Sequence, residues 1–457
     1  MVQELTVAGV DWSGLKQAVR GGVILPGDPR YDEARQVWNG MIDRRPAAIV
    51  RCRSTADVVA ALGFARDQGL PVAIRGGGHN AAGLAIADGG LVIDLTDMDL
   101  VRVDAERRLA YAGGGATWGG FDAATQAHGL ATTGGAISST GVGGLTLGGG
   151  LGWLMRWLGL ACDNLVEMEV VLADGSVVRT SETEYPELFW GLRGGGGNFG
   201  IVTEFVFRVY PLDGVYAGLL IHPRPLATAA LQHYREATRS VPDKLTAFFG
   251  ILSAPDGAPI VGYALSYAGD ATAGEEAIAS FRAFGEPVAD LMSAMPYTAL
   301  QRIMDDTFPA GQQVYWKSHF LVDLSDEVIE TMVHHANAAP SPLSKVMLEH
   351  LGGAVARVPQ DATAFDHRDA EYNLAIIATW TDPAESEANI AWAREFWEAM
   401  QPYARGVYVN YLGIGDDAGR VRAAYSPEHF ARLAALKRDV DPDNVFRANQ
   451  NIAPALA

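Results

Sequence analysis

The sequence predicts an α+β protein built from two unlike parts, and three observations carry that reading. Glycine is abundant, 52 residues in 457, and it is crowded into 76–78, 113–115, 134–135, 141–152 and 194–197. Those clusters stop near Pro211-Leu212-Asp213-Gly214. Up to there, short helices and hairpins are mixed without a regular strand–helix–strand series, and beyond it antiparallel strands alternate with amphipathic helices to about residue 405.

In the glycine-rich part, Ala48-Ile49-Val50-Arg51-Cys52 has the composition of a strand. Thr55 can cap a helix through about Gln68, with Val58, Ala61, Leu62 and Ala65 on one face and Gly69 ending it. A buried strand over Val72–Arg75 feeds the turn Gly76-Gly77-Gly78-His79-Asn80. Leu91–Leu95 and Leu109–Ala112 are further strands, the second closed by Gly113-Gly114-Gly115. Thr117 to about His128 aligns Trp118, Phe121 and Thr125 as a helix. Asp174-Gly175 between Val166–Leu172 and Ser176–Thr180 is a hairpin signal, and Gly200–Tyr210 alternates as a long strand.

The second part holds strands such as Leu245–Leu252, Ile260–Tyr267, Val314–Val322 and Leu374–Trp380. Helices around 274–284, 326–337 and 386–401 separate them, so an antiparallel sheet backed by helices is expected over 214–405. Gly406–Tyr411 is expected as another strand, and Ser426-Pro427 opens a capped helix to about Arg438. The tail Asp441-Pro442-Asp443-Asn444-Val445-Phe446, followed by Asn449-Gln450-Asn451, is rich in amides and is expected to return to the first part, making 406–457 a third segment.

A formal charge of -19 disfavours polyphosphate partners, so nucleic acid is excluded and an anionic membrane surface is disfavoured. No run reaches the ~18 apolar residues of a spanning helix, and Met-Val-Gln-Glu-Leu lacks a signal-peptide pattern, so a cytoplasmic location is expected. The histidines have no metal-ligand spacing, and His334-His335, adjacent on a helix, diverge. No Gly-x-Ser-x-Gly elbow supports a serine nucleophile. Cys52 reads as a buried strand thiol.

The chemistry lies with the glycines. Each cluster sits between apolar segments, where glycine lets backbone approach a ligand or adopt positive φ. Consecutive amides in 75–80 and 140–150 would form nests for a pyrophosphate. No strand-Gly-x-Gly-x-x-Gly-helix unit with a ribose-binding acid ~20 residues on accompanies them, which disfavours NAD. His79 is set into one such turn, and Cys162 in Gly159-Leu160-Ala161-Cys162-Asp163-Asn164 stands beside another glycine-crowded loop. An imidazole and a thiol so placed suggest two anchors on one flavin.

Six motifs in order give a resemblance covering most of the chain. Arg75–Asn80, Ser138–Gly150, Gly159–Asn164, Arg193–Thr203, Tyr408-Val409-Asn410-Tyr411 and Asp441–Phe446 are similar to those of berberine-bridge-enzyme-like flavoproteins, within the vanillyl-alcohol-oxidase (PCMH-type) FAD fold. The resemblance implies an FAD-binding domain over 1–213, with its PCMH-type core over about 42–212, and a substrate domain over 214–405. It implies a bicovalent FAD, bonded by His79 at the 8α carbon and by Cys162 at C6. The cofactor-binding set it implies further comprises Arg75, Gly76, Gly77, Gly78, Asn80, Gly83, Thr140, Gly141, Gly143, Gly144, Leu147, Gly148, Gly150, Gly152, Asp163, Gly200, Ile201, Val202, Asn410 and Asn449.

The resemblance also implies an oxidase in which substrate hydride goes to flavin N5, Tyr411 is the base, and O2 becomes hydrogen peroxide. With a reference pKa near ~10, Tyr411 must be lowered or coupled to a relay. Glu349 stands where relatives carry an acid or tyrosine facing that base; it helps only by accepting the phenol proton or binding a substrate hydroxyl. Asn373 stands where some relatives place a catalytic glutamate, a departure that weakens the case for ring-closing chemistry. Lys317 is expected to be structural. Thr140, small at a site lining oxygen's approach, favours O2 as acceptor. A carbohydrate or a secondary or natural-product alcohol is the expected small-molecule substrate, with amine or alkaloid oxidation, or a dehydrogenase using another acceptor, as the alternative.

Overall fold

Residues 10–456 are described by the computed structural model; the N-terminal residues that bear on the signal-peptide reading lie outside them. Leu91–Asp94 lies parallel to both Ala48–Arg51 and Val72–Arg75, and Val23–Ile24 adds an antiparallel edge to this four-stranded sheet. Helix Thr55–Asp67 covers it, burying Val58, Ala61, Leu62 and Ala65 against Val50, Val72, Leu91 and Ile93. The cap is Ser54, one residue before the expected Thr55: its extended backbone lets the hydroxyl accept from the Asp57 amide.

A second, five-stranded antiparallel sheet runs in the order 101–104, 109–113, 201–208, 165–171, 177–181. Its last pair is the hairpin signalled by Asp174-Gly175, where Gly175 takes φ +87°. Helix Trp118–Gln126, capped by Thr117, packs Trp118 and Phe121 edge-on against Phe207 of that sheet. The two sheets carry the glycine loops between them. At Gly77 and Gly141 the backbones come so close that a Cβ on either would lie 2.4 Å from the other's amide nitrogen.

The third layer is a nine-stranded antiparallel sheet. Its order is 289–290, 215–223, 259–268, 245–253, 345–350, 372–380, 313–321, 404–406, with 293–295 also on 215–223. Alternation along each strand divides its two faces. Phe249, Ile251, Leu348, Leu374 and Ile376 pack beneath helices Ala227–Thr238, Ala271–Arg282, Asp326–Asn337 and Ser386–Met400. Phe248, Met347, Glu349, Ala375 and Ile377 turn the other way, into a cavity shared with the glycine loops. The architecture is the expected α+β one, with the nine-stranded sheet antiparallel and helix-backed.

One expected strand is corrected. Only Ala404–Gly406 pairs, with Phe320 and Leu321, and Val409–Tyr411 forms a 3₁₀ turn. Gly406 takes φ +147° at the point of departure. Tyr411 therefore projects from a turn between the sheet and helix Pro427–Val440. The tail lies against 196–198: Asn198 donates to Gln450 O (3.1 Å), and Ile452 N donates to Asn198 Oδ1 (2.9 Å). Lys437, fully buried, donates to Asn198 O (2.8 Å), Phe446 O (2.9 Å) and Asp441.

Candidate active site

The cavity holds about 300 Å³ between the glycine loops and the open face of the nine-stranded sheet. At its glycine end, Gly78 turns through φ +69° directly after strand Val72–Arg75. Among the described residues, the amides of Gly77, Gly78 and His79 donate to no backbone carbonyl. Added Cβ atoms at Gly144 and Gly197 would meet nothing within 4 Å, so any side chain there would project into the space. Gly76, Gly77, Gly78, His79, Asn80, Thr140, Gly141, Gly143, Gly144, Leu147, Gly200, Ile201, Val202, Asn410 and Asn449 all line it.

The other expected cofactor residues do not line it. Arg75 is buried, pairs with Asp94 at 3.1 Å and donates to the carbonyls of Ala34 and Gln36, so it braces the turn from behind. Gly83, Gly148, Gly150 and Gly152 are close-packing positions, where a Cβ would strike Ile42, Asn410, Ala161 and the Gly134 carbonyl respectively. Asp163 is held by Arg368 through two bonds, 2.7 and 3.1 Å.

Cys162 stands apart from the cavity-lining residues. Its side chain is 0% exposed and absent from the cavity wall; its amide donates to Gly149 O, behind the loop. Burial first, and the neighbouring Asp163 next, push the thiol well above its ordinary pKa. Burial of this kind disfavours the thiolate that a bond to flavin C6 would need.

His79 is differently situated. Its Nε2 lies 2.9 Å from Ser139 Oγ, its Nδ1 3.5 Å from Thr140 Oγ1, and Trp38 stacks on the ring at 5.4 Å. Burial lowers its pKa to about 4, so the imidazole is neutral with a free ring lone pair at physiological pH.

At the sheet end, Tyr411 donates its phenol proton to Glu349 Oε1 (2.9 Å), and Asn373 Nδ2 donates to Oε2 (2.6 Å). Glu349 and Asn373 are direct cross-strand neighbours, which sets their spacing. Burial raises Glu349 to about 7. Burial and then Glu349 raise the Tyr411 phenol well above its ordinary value. Asn373 is buried and touches the carboxylate, not the cavity. The Tyr408 hydroxyl accepts from Gly150 N, Leu151 N and Asn410 Nδ2, pinning the turn that presents Tyr411. Trp316 packs on the Tyr411 ring at 4.6 Å. Lys317 pairs with buried Asp416 at 2.5 Å and is absent from the cavity wall.

Several wall residues escaped the sequence reading: Trp38, Ile137, Phe248, Met304, Phe308, Trp316 and Met347. A period-two reading of 313–321 and 345–350 would have put Trp316 and Met347 on one face, but only strand pairing turns that face toward His79.

The FAD binding domain family matches residues 46–181, and the berberine and berberine-like family matches 407–453. The chain is similar to an FAD-linked oxidoreductase of Dictyostelium discoideum, 30% identical over 96% of each chain. It is also similar to the (R)-6-hydroxynicotine oxidase of Paenarthrobacter nicotinovorans, 32% identical over 96% of this chain and 97% of the relative. The crystal structure of 6-hydroxy-D-nicotine oxidase from Arthrobacter nicotinovorans superposes with a TM-score of 0.87 at 31% identity, covering 96% of this chain and 98% of that one. A berberine-bridge-enzyme-like protein of Physcomitrella patens shares the fold, with a TM-score of 0.90 at 23% identity, covering 98% of this chain and all of that one. The chain belongs to the berberine-bridge-enzyme-like family of FAD-linked oxidoreductases.

The residues present fit FAD. The unpartnered turn amides and the open faces of Gly144 and Gly197 offer backbone to a large ligand. Asn449 Oδ1 and Trp316 Nε1, both buried on cavity-lining residues, have no hydrogen-bond partner among the described residues.

Proposed function

We propose that the chain is an FAD-linked oxidase of a secondary alcohol on an apolar, largely aromatic small molecule, with the flavin tethered by His79 alone and O2 as acceptor. The observation that carries this is the Tyr411–Glu349–Asn373 chain, which opens onto the same cavity as His79 and the glycine turn. Bound FAD supplies the two-electron acceptor for the carbinol hydride and passes the electrons to oxygen.

The proton chemistry belongs to the protein. A phenol that donates to a carboxylate is a poor free base, but a good relay. The substrate hydroxyl gives its proton to the Tyr411 oxygen as the phenol proton passes to Oε1 of Glu349. With Glu349 at about 7, the carboxylate is matched to that task near neutrality. Asn373 keeps Oε1 aimed at the phenol by occupying Oε2. His79, neutral and stacked on Trp38, has the lone pair needed to carry the tether at 8α. Thr140, beside that imidazole and small, supports open access for oxygen.

The sheet-side wall moves the substrate expectation away from carbohydrate. Phe248, Met304, Phe308, Trp316, Met347 and Ile377 offer little to the many hydroxyls of a sugar ring, which would be desolvated without partners. Anaerobic mixing with naphthyl secondary alcohols, the matching amines and oligosaccharides tests the assignment. Bleaching by the alcohols, with peroxide on readmission of air, is expected. Bleaching by the amines or sugars alone would overturn it.

A further inference from the structure

We propose that Lys345 is a substrate-anchoring residue whose ammonium receives an anionic group, a carboxylate or phenolate, at the end of the substrate remote from the oxidised carbinol; the inference rests on the alcohol-oxidase reading of the cavity.

Lys345 is 6% exposed, and among the described residues the contact its ammonium makes is with the Phe308 ring. Its strand sets it on the cavity face: it alternates with Met347 and Glu349, and it pairs directly with Ile377, all three of which line the cavity. Its Nζ lies 4.8 Å from the centre of the Phe308 ring, itself a cavity wall. That aromatic face attracts the ammonium but satisfies none of its three donors. Burial lowers the amine to about 8, the mark of a cation held without an anion. The other buried lysines are treated differently: Lys317 has Asp416, and Lys437 has Asp441 with two carbonyls.

Lys345 itself does not line the cavity, so its flexible stem would have to swing past Phe308 to bring the ammonium there. Four residues along a strand separate Lys345 from Glu349, about 13 Å at ~3.3 Å per residue. The molecule that satisfies both ends is therefore an extended apolar framework, with the acidic group at one end and the carbinol at the other. Met304, Phe308, Trp316 and Met347 would sandwich the middle.

Two tertiary naphthyl carbinols, which bind but have no hydride to lose, provide the probe pair: one bears a carboxylate at the opposite end of the ring system and one does not. Dissociation constants are read on the flavin-loaded enzyme from tryptophan fluorescence. The wild type should bind the carboxylate probe about tenfold more tightly, the worth of one charge-assisted hydrogen bond. Lys345→Met should erase that preference, leave the neutral probe within about twofold, and not lower the thermal midpoint, because an unpaired buried cation is removed. Lys345→Arg should retain most of the preference. No preference in the wild type, or an undiminished one in Lys345→Met, overturns the anchor. Binding of neither probe overturns the anchor together with the aromatic substrate class. A Lys345-dependent preference, with no bleaching by the matching secondary alcohols, leaves the anchor standing and overturns alcohol oxidation alone.

Discussion

Glu349→Gln should make the protein more stable and less active at once. Glu349 is 6% exposed, and burial raises its pKa from 4.5 to about 7. At ~1.4 kcal/mol per pKa step, the ionised side chain costs the native state about 3 kcal/mol above neutrality. Below pH 4.5 the proton is bound in both folded and unfolded chains, and the contribution is intact. As pH rises from 4.5 through about 7, the unfolded chain releases its proton first, so wild-type stability falls; above about 7 the loss is complete. Glutamine never ionises, and it can still accept from Asn373 while donating to the Tyr411 oxygen. Urea unfolding followed by tryptophan fluorescence should therefore show equal stability near pH 4 and a gain of up to about 3 kcal/mol for the variant at pH 8. Stopped-flow reduction of the bound flavin should slow by ~100-fold or more and lose its rise through pH 7. A variant less stable than the wild type at pH 8, or one that keeps the pH step, would refute the relay and the burial argument together.

Tyr411→Phe should cut the flavin reduction rate by ~100- to 10,000-fold while probe affinity changes little, as measured by stopped-flow and titration. Cys162→Ala should keep its yellow colour after acid precipitation, whereas His79→Ala should release it; colour retained by both variants would restore the second anchor. Asp163→Asn strands buried Arg368, 3% exposed, and should lower stability by about 3–5 kcal/mol in urea unfolding.

What the sequence disclosed depended on range. Close backbone approach leaves a local mark, because only glycine tolerates the contact at Gly77 and Gly141, so the cradle was visible. The hairpin at Asp174-Gly175 and the helix over Asp326–Asn337 were visible for the same reason. The wall formed by Trp38, Phe308, Trp316 and Met347 was not, since each residue is an ordinary apolar side chain until strand pairing gathers it from across the chain. Cys162 shows the converse: glycine neighbours marked it as close to the loop, but the side of the loop it occupies is decided by packing against Gly149 and the Asp163–Arg368 pair. The Glu349–Asn373 pairing fixes what Tyr411 can do, and it arises from two strands whose register no local pattern encodes.

The buried ammonium of Lys437 also bears on how the prosthetic group is kept. It rivets the Gly196–Asn198 turn to the stretch that supplies Asn449 and Gln450 to the cleft. A guest inside that cleft is thus enclosed by a clasp with its own strength, whatever bond His79 forms. Loading should then be gated by the clasp's opening rather than by diffusion. Exchange of an untethered flavin should accelerate sharply once Lys437 can no longer hold the clasp shut.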